Sequence, residues 1–184
     1  MLQGENIMLR ALNQNDLEFV NKWRNQLVDK ILTQGFRLPL SLKKDEEWIN
    51  NKMNISSNNE LYLIIEENKN PKVPIGLIQL IEIDYISGTA KWGFIIGDKE
   101  CRGKGYSIEA PRLLFNYAFN VLNLRKLVSY NLDFNQATLK MHKKIGNVRE
   151  EGCLKNHYYF NNRFWDIHIL SFFKEDFKEL KIEL

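Results

Sequence analysis

The chain has 184 residues, of which 44% are apolar and 27% charged, with a formal net charge of +3. This length and composition predict a single globular domain, residues 1–184, large enough for a proper core. The basic excess is too mild to indicate a nucleic-acid partner. Nothing resembles a signal peptide or a membrane span, so we expect no membrane association and a cytoplasmic protein. Cys101, Cys153 and three scattered histidines do not make a metal cluster, so we expect no metal and two free thiols.

Hydrophobic periodicity predicts strands and helices along the first half of the chain. The predicted elements are a strand over 5–12, helices over 17–24 and 46–53, and strands over 61–66, 75–84 and 89–96. Residues 34–44 contain breakers and residues 50–59 are polar, so both are predicted to be irregular.

Glu82 is a candidate general base. It follows Ile78 and Leu80 on one face of the strand over 75–84. A carboxylate desolvated among aliphatic side chains becomes a stronger base, which suits proton abstraction. The alternative is a solvated carboxylate at the end of the strand.

An anion site is predicted where the strand over 89–96 enters a charged loop and then a helix over 108–121. The first N–H groups of a helix have no internal partner, and the helix dipole favours negative charge there. Gly103 and Gly105 would let an anion approach the main chain, and they allow positive φ.

Motif spacing separates three kinds of phosphate loop. A Walker loop fails because Gly97 lies one residue too far from Gly103, and a dinucleotide fingerprint fails because Ile108 replaces its third glycine. The pattern Arg/Gln-x-x-Gly-x-Gly/Ala is matched by residues 102–107, apart from Ser107 at its last position. This region resembles the pyrophosphate loop of the GNAT superfamily of acetyl-coenzyme A-dependent N-acetyltransferases.

Two later segments extend the resemblance. Asn135 to Gly146, after a short strand over 127–131, resembles the second signature of the superfamily, although Asn147 replaces its usual phenylalanine. Alternating segments around Asn161-Asn162 predict a hairpin whose sequence is similar to the RimJ/RimL-like branch. A charged helical tail is predicted over 173–184.

The resemblance implies one α/β (α+β) domain. Its mixed, twisted sheet would have about seven strands flanked by helices, with central strands that splay apart to hold pantetheine. The implied coenzyme-binding residues are Phe94, Ile95, Ile96, Arg102, Gly103, Lys104, Gly105, Tyr106, Ser107 and Asn135.

The implied chemistry is direct acetyl transfer to a primary amine, without a covalent enzyme intermediate. A backbone N–H near Phe94 or Ile95 would stabilise the oxyanion. His142 stands where relatives carry a tyrosine that protonates the leaving thiolate; the alternative is a helix histidine kept neutral by neighbouring lysines. Lys91 stands where relatives carry an acid, which leaves Glu82, water or no enzyme group as the base.

The acceptor is expected to contact Arg24, Asn25 and Trp92, because the first helices wall the acceptor side in the superfamily. Polyamines, aminoglycosides, ribosomal-protein N-termini and amino sugars on nucleotide carriers are all open as acceptors. Basic residues in segments 35–37 and 43–44 favour a sugar diphosphate over a polyamine, and the sequence looks most like nucleotide-sugar amino N-acetyltransferases. RimJ/RimL-like ribosomal-protein acetyltransferases are second.

Two further expectations concern partners and activity. The hairpin is rich in aromatic residues, and we expect two of them to line a pocket or a homodimer contact: Tyr158, Tyr159, Phe160, Phe164 and Trp165. Because no base is secure, an acyl-coenzyme A-binding sensor or an inactive relative is the alternative to an enzyme.

Overall fold

The computed structural model describes residues 1–35, 37–54 and 58–178. Helices and strands alternate along the chain, with short 3-10 turns between some of them. The elements are β1 (Leu2–Gln3), β2 (Ile7–Ala11), α1 (Leu17–Arg24), α2 (Leu27–Leu32), α3 (Leu42–Met53), β3 (Leu61–Glu67), β4 (Pro74–Asp84), β5 (Thr89–Ile96), α4 (Tyr106–Asn120), β6 (Lys126–Leu132), α5 (Gln136–Ile145), β7 (Arg149–Phe160) and β8 (Arg163–Phe173).

The strands in these ranges form one eight-stranded sheet in the order β1-β2-β3-β4-β5-β6-β8-β7. Every neighbouring pair is antiparallel except β5 and β6, which are parallel. The mixed sheet flanked by helices confirms the predicted fold class. The additional strand is β1, which pairs Leu2 with Leu9 and is too short for a periodicity argument to detect.

The two parallel strands separate in the middle of the sheet. Their pairing runs only from Thr89 with Lys126 to Lys91 with Val128. Strand β5 then continues to Ile96, and β6 continues to Leu132 while it pairs with β8 on its other side. The predicted splay is therefore present, and it leaves a gap whose apex lies between Trp92 and Ser129.

Both faces of the sheet are covered. Ile64 and Leu77 point into a core beneath α1 and α3, whereas their neighbours Ile65 and Ile78 point into a larger core beneath α4. This explains why β3 and β4 have apolar runs rather than a simple alternation.

Four details differ from the sequence prediction. Helix α2 was missed, and α3 begins at Leu42, where Ser41 accepts a hydrogen bond from the Lys44 N–H. Helix α4 begins at Tyr106, before the predicted start at residue 108, and it continues through Pro111. The tail has a 3-10 turn at Lys174–Asp176, and residues 179–184 of the predicted helix lie outside the described ranges.

Other expectations agree with the structure. The hairpin about Asn161 and Asn162 is formed by β7 and β8, and both cysteines are free. Among the described residues, no helix combines the length and apolar character needed to span a membrane.

Candidate active site

One large cavity of about 660 Å³ lies in the gap between β5 and β6. Its coenzyme side is formed by β5, the loop before α4, and α5. Its other side is formed by α1, α2, the following segment and α3. The lining residues used below are Arg24, Asp29, Lys30, Lys91, Trp92, Phe94, Ile95, Ile96, Arg102, Gly103, Ser107, Ser129, Asn131, Asn135 and His142.

The loop before α4 has the features of an anion site. Gly103 and Gly105 have φ of +80° and +88°, and a Cβ at either position would meet nothing within 4 Å. Within the described ranges, the N–H groups of residues 103–107 find no protein acceptor. These donors point from the N-terminus of a fifteen-residue helix, where the dipole favours an anion. The predicted diphosphate cradle therefore fits the main chain of this loop.

Two side chains of the loop, those of Tyr106 and Lys104, contact Glu67. The Tyr106 hydroxyl donates to Glu67 at 2.8 Å, and this bond raises the pKa of Tyr106 to about 12. The Lys104 ammonium lies 3.7 Å from the same carboxylate and is half-exposed. Neither side chain lines the cavity, so their predicted role in coenzyme binding rests on main-chain N–H groups.

Arg102 connects the loop to the opposite wall. Its Nη2 donates to the Asp29 carboxylate at 2.8 and 3.0 Å, and its Nε donates to the Ile96 carbonyl at 3.0 Å. Asp29 belongs to α2, which the sequence reasoning missed. The arginine of the motif therefore joins the coenzyme loop to the acceptor wall.

Phe94 and Ile95 differ in the direction of their main-chain N–H groups relative to the edge of β5 that faces the gap. The Gly97 N–H bonds to the Ile75 carbonyl on the β4 side, while the Ile96 carbonyl faces Arg102 on the open side. Because main-chain groups alternate along a strand, Phe94 directs its N–H into the gap, and Ile95 directs its N–H toward β4. Phe94 is therefore the better placed of the two to stabilise an oxyanion.

His142 is buried in the cavity wall, with 1% of its surface exposed. Its Nδ1 lies 2.8 Å from the Thr138 carbonyl, which only accepts, so Nδ1 carries the proton. Its Nε2 lies 3.0 Å from Ser129 Oγ. Burial lowers the pKa of His142 and keeps the ring neutral at pH 7, and burial rather than the flanking lysines is the cause. A neutral ring does not fit the predicted role of His142 as a general acid that is already protonated before the reaction.

Glu82 does not meet the conditions for a buried base. It lies at an irregularity of β4 with φ of +51°, its side chain is 63% exposed, and it does not line the cavity. Its carboxylate pairs with Lys91 at 2.7 Å. The aliphatic environment inferred from alternation is wrong because the bulge turns the side chain toward solvent.

The predicted acceptor residues separate into two groups. Arg24 and Trp92 line the cavity; Arg24 pairs with buried Asp45 and lies 4.3 Å from the Trp48 ring. Asn25 does not line it, because its side chain bonds to the Leu40 main chain at 2.8 and 2.9 Å. Its role is to hold the segment before α3 in place.

Comparison with known proteins adds a separate observation. A family model described as an acetyltransferase (GNAT) domain matches residues 6–148. The chain belongs to the GNAT acetyltransferase family. The protein is therefore an N-acetyltransferase that uses acetyl-coenzyme A as co-substrate.

Relatives of this GNAT chain cover nearly its whole length. The spermidine N(1)-acetyltransferase of Vibrio cholerae is 32% identical over 161 residues, which are 88% of this chain and 89% of the relative. A structure of the Vibrio cholerae spermidine N-acetyltransferase in complex with CoA and spermine has a TM-score of 0.85 at 26% identity, and covers 94% of this chain and 98% of that chain. A dodecameric structure of the Vibrio enzyme has a TM-score of 0.78 at 28% identity, with coverage of 94% and 96%. These relatives support the predicted assignment to the GNAT superfamily, but they do not support the predicted assignment to its RimJ/RimL-like branch.

The basic residues of the acetyltransferase cavity are not those expected from sequence. Phe36 lies outside the described ranges, and Arg37, Lys43 and Lys44 do not line the cavity. Among the described residues, the cations that line it are Arg24, Lys30, Lys91 and Arg102, against the single carboxylate of Asp29.

The aromatic residues of the acetyltransferase hairpin do not line the cavity either. Tyr158 donates to the Ile31 carbonyl at 3.2 Å, and Trp165 packs on Phe134. Tyr159 and Phe164 are exposed and pack on each other with ring centroids 5.2 Å apart. Of the two expectations for the hairpin, only a contact between protein copies stays open.

Sequence reasoning missed three residues of the GNAT site. Lys30 lies on the missed helix α2. Ser129 and Asn131 lie on β6 just beyond the point where it leaves β5, and both are buried. Ser129 and Asn131 are two residues apart on the predicted strand over 127–131, so they share one face of it. That spacing was the signal from which the sequence could have indicated them. A metal is not indicated, because no group of three or more His, Cys, Asp or Glu residues converges in the described part of the chain.

Proposed function

We propose that this acetyltransferase acetylates the primary amine of an acceptor that carries negative charge, with an amino sugar on a nucleotide carrier as the favoured class. The observation that carries the proposal is the lining of the cavity, to which the described part of the chain contributes four basic side chains and one carboxylate. A protein N-terminus is the other acceptor that the sequence resemblance leaves open.

Partner groups reduce the charge of three of these cations. Arg24 pairs with Asp45, Lys91 with Glu82, and Arg102 with Asp29. Lys30 is different, since its ammonium bonds to the Leu38 carbonyl at 2.5 Å and the Asn25 amide oxygen at 3.3 Å. Among the described residues it has no carboxylate partner, although only 5% of its surface is exposed. A buried cation without a counter-ion favours an anionic group nearby.

The proposed reaction is direct transfer. The neutral amine attacks the thioester carbonyl carbon, and the Phe94 N–H on the open edge of β5 is placed to stabilise the oxyanion. Cys101 is not the nucleophile in this proposal. It is buried, and burial raises the pKa of its thiol, which keeps the unreactive thiol form at neutral pH.

A polyamine is the second candidate, because the Vibrio cholerae relatives described above are named for spermidine. A polycation requires carboxylates for its several ammonium groups. Asp29 is the one carboxylate that residues 1–35, 37–54 and 58–178 place in this cavity, and it already pairs with Arg102 at 2.8 Å. Charge therefore favours the anionic acceptor over the polyamine.

The test compares acceptors under one set of conditions. Release of coenzyme A thiol from acetyl-coenzyme A is measured with a nucleotide-diphosphate amino sugar, a peptide with a free N-terminus, and spermidine. We expect kcat/KM for the nucleotide-linked amine to exceed that for spermidine by at least about tenfold, the effect of one charge-assisted contact. A higher kcat/KM for spermidine would overturn the proposal in favour of the second candidate.

We also propose that the protein self-associates through the β7–β8 hairpin. Support comes from the exposed pair Tyr159 and Phe164 and from the dodecameric Vibrio relative. Light scattering on the purified protein should give a mass above that of one chain, and Phe164→Ser should lower it. A monomeric wild-type protein would contradict this proposal.

A further inference from the structure

A buried chain of hydrogen bonds crosses the cavity wall at the apex of the gap. The Asn131 amide donates to Ser129 Oγ at 2.9 Å, and Ser129 Oγ lies 3.0 Å from His142 Nε2. Because the Thr138 carbonyl fixes the proton on Nδ1, Nε2 is an acceptor. The single proton of the Ser129 hydroxyl therefore points to His142, with the Leu170 carbonyl at 3.5 Å as the longer alternative.

The position of Ser129 adds a second observation. The last residue of β6 that pairs with β5 is Val128, so Ser129 is the first beyond the point of separation. Ser129 and His142 both line the cavity, and both are more than nine-tenths buried. The pair thus lies at the apex of the gap, on the wall opposite the open edge of β5.

We propose that Ser129 and His142 form a proton relay that moves the surplus proton of the attacking amine to the coenzyme A sulfur. The inference rests on the proposed function. It assigns the first contact with the reacting atoms to Ser129, and it makes His142 a residue that acts through Ser129. No further base is required, so the exposed position of Glu82 and the lysine at position 91 are explained.

The atoms balance in two steps. The amine nitrogen forms a bond to the acetyl carbon, and its proton passes to Ser129 Oγ as the Ser129 proton passes to His142 Nε2. The carbon–sulfur bond then breaks with its electron pair on sulfur, and the same path returns one proton to the thiolate. The products are an amide and a thiol, and His142 is neutral again.

The surroundings of His142 suit temporary rather than permanent protonation. The side chains that hydrogen-bond to the ring or pack on it as aromatic neighbours include Ser129, Trp92 and Phe172, and none of these three carries a charge. Lys140 and Lys143 on its own helix are exposed. A proton on the ring is therefore not held by a counter-ion, which favours its return to the thiolate.

The test uses Ser129→Ala with Ser171→Ala as the matched control. Ser171 is another fully buried serine, on the neighbouring strand, and it does not line the cavity. We expect Ser129→Ala to lower kcat by about 100-fold at an unchanged KM for acetyl-coenzyme A, because general acid–base contributions are of that order. Ser129→Thr, which keeps the hydroxyl, should recover most of the loss.

Two readouts separate a relay from a structural role. Combining Ser129→Ala with His142→Gln should cost no more than either change alone, since both interrupt one path. The acidic limb of the kcat–pH profile should also disappear in His142→Gln. Wild-type kcat in Ser129→Ala, or additive losses in the double variant, would overturn the relay. If Ser129→Ala does not fold, His142→Gln with wild-type kcat and an unchanged pH profile would overturn it. Failure of the proposed function differs from this outcome, since the wild-type enzyme would then show a higher kcat/KM for spermidine than for the nucleotide-linked amine, whichever residues move the proton.

Discussion

Lys30 is buried on the acceptor side of the cavity and contacts oxygen atoms that carry no formal charge. An ammonium in this environment gains more from an incoming anion than an exposed lysine does, because water does not screen the interaction. It is therefore the residue at which acceptor charge can be tested separately from acetyl-coenzyme A binding.

Lys30→Gln keeps a donor for the Leu38 carbonyl and removes the charge. We expect kcat/KM for a nucleotide-linked amino sugar to fall by about tenfold or more, and that for spermidine to be unchanged or higher. Lys140→Gln on the exposed face of α5 is the control and should leave both values near wild type. Equal losses for both acceptors would show that Lys30 only supports the segment before α3.

His142 has a consequence for stability as well as for chemistry. Its folded pKa is lowered by burial, so at acidic pH the unfolded chain binds the proton more readily. The contribution of the neutral His142 ring to the free energy of unfolding is complete above the ordinary histidine pKa of 6.5. It is lost as the pH falls from there through the folded pKa.

Urea unfolding at about pH 7.5 and about pH 5.5 measures this linkage. The free energy of unfolding of the wild-type protein should be lower at the acidic pH than at the neutral pH. The difference between the two pH values should be smaller in His142→Gln. His157→Gln, at an exposed histidine, should behave like wild type. The same fall in all three proteins would contradict the assignment of a neutral buried ring.

At the scale of elements, the loop before α4 is the part of the site most completely set by sequence. Gly103 and Gly105 were expected to allow positive φ, and both have it. Gly105 also marks the end of the loop, because α4 begins at the next residue.

Gly105→Asp tests this element. A side chain at φ of +88° is strained by about 1–2 kcal/mol, and its carboxylate would face the diphosphate. We expect the Kd for acetyl-coenzyme A, measured by calorimetry, to rise by at least about 100-fold, which is roughly 2.7 kcal/mol. Asn162→Asp adds the same charge at a positive-φ residue of the β7–β8 turn and should not change the Kd. Unchanged affinity in Gly105→Asp would remove the loop from the coenzyme site.

Other elements show where sequence reasoning stops. Strand β5 was predicted with its observed bounds because both of its ends carry clear turn residues. Helix α2 was missed because its six residues are too few for a helical period, and because it depends on tertiary contacts such as the Arg102–Asp29 pair. Glu82 was misplaced because one bulge reverses the alternation of β4.

At the scale of the whole molecule, the sheet explains why the site exists. Strands β5 and β6 pair only over Thr89–Lys91 and Lys126–Val128, and the cavity lies between their separated ends. The resemblance predicted the loop, the splay and a place for His142 beside the coenzyme sulfur, but it could not place Lys30 and Ser129 around the same cavity. That convergence brings α2 together with β6 and α5, which follow each other much later in the chain.

The most direct test of this account is a crystal structure of the protein with acetyl-coenzyme A. We predict the diphosphate on the N–H groups of residues 103–107, and the thioester in the gap between β5 and β6, within hydrogen-bonding reach of Ser129 Oγ. A coenzyme bound elsewhere, or a thioester on the far side of the β5–β6 gap from Ser129, would contradict it.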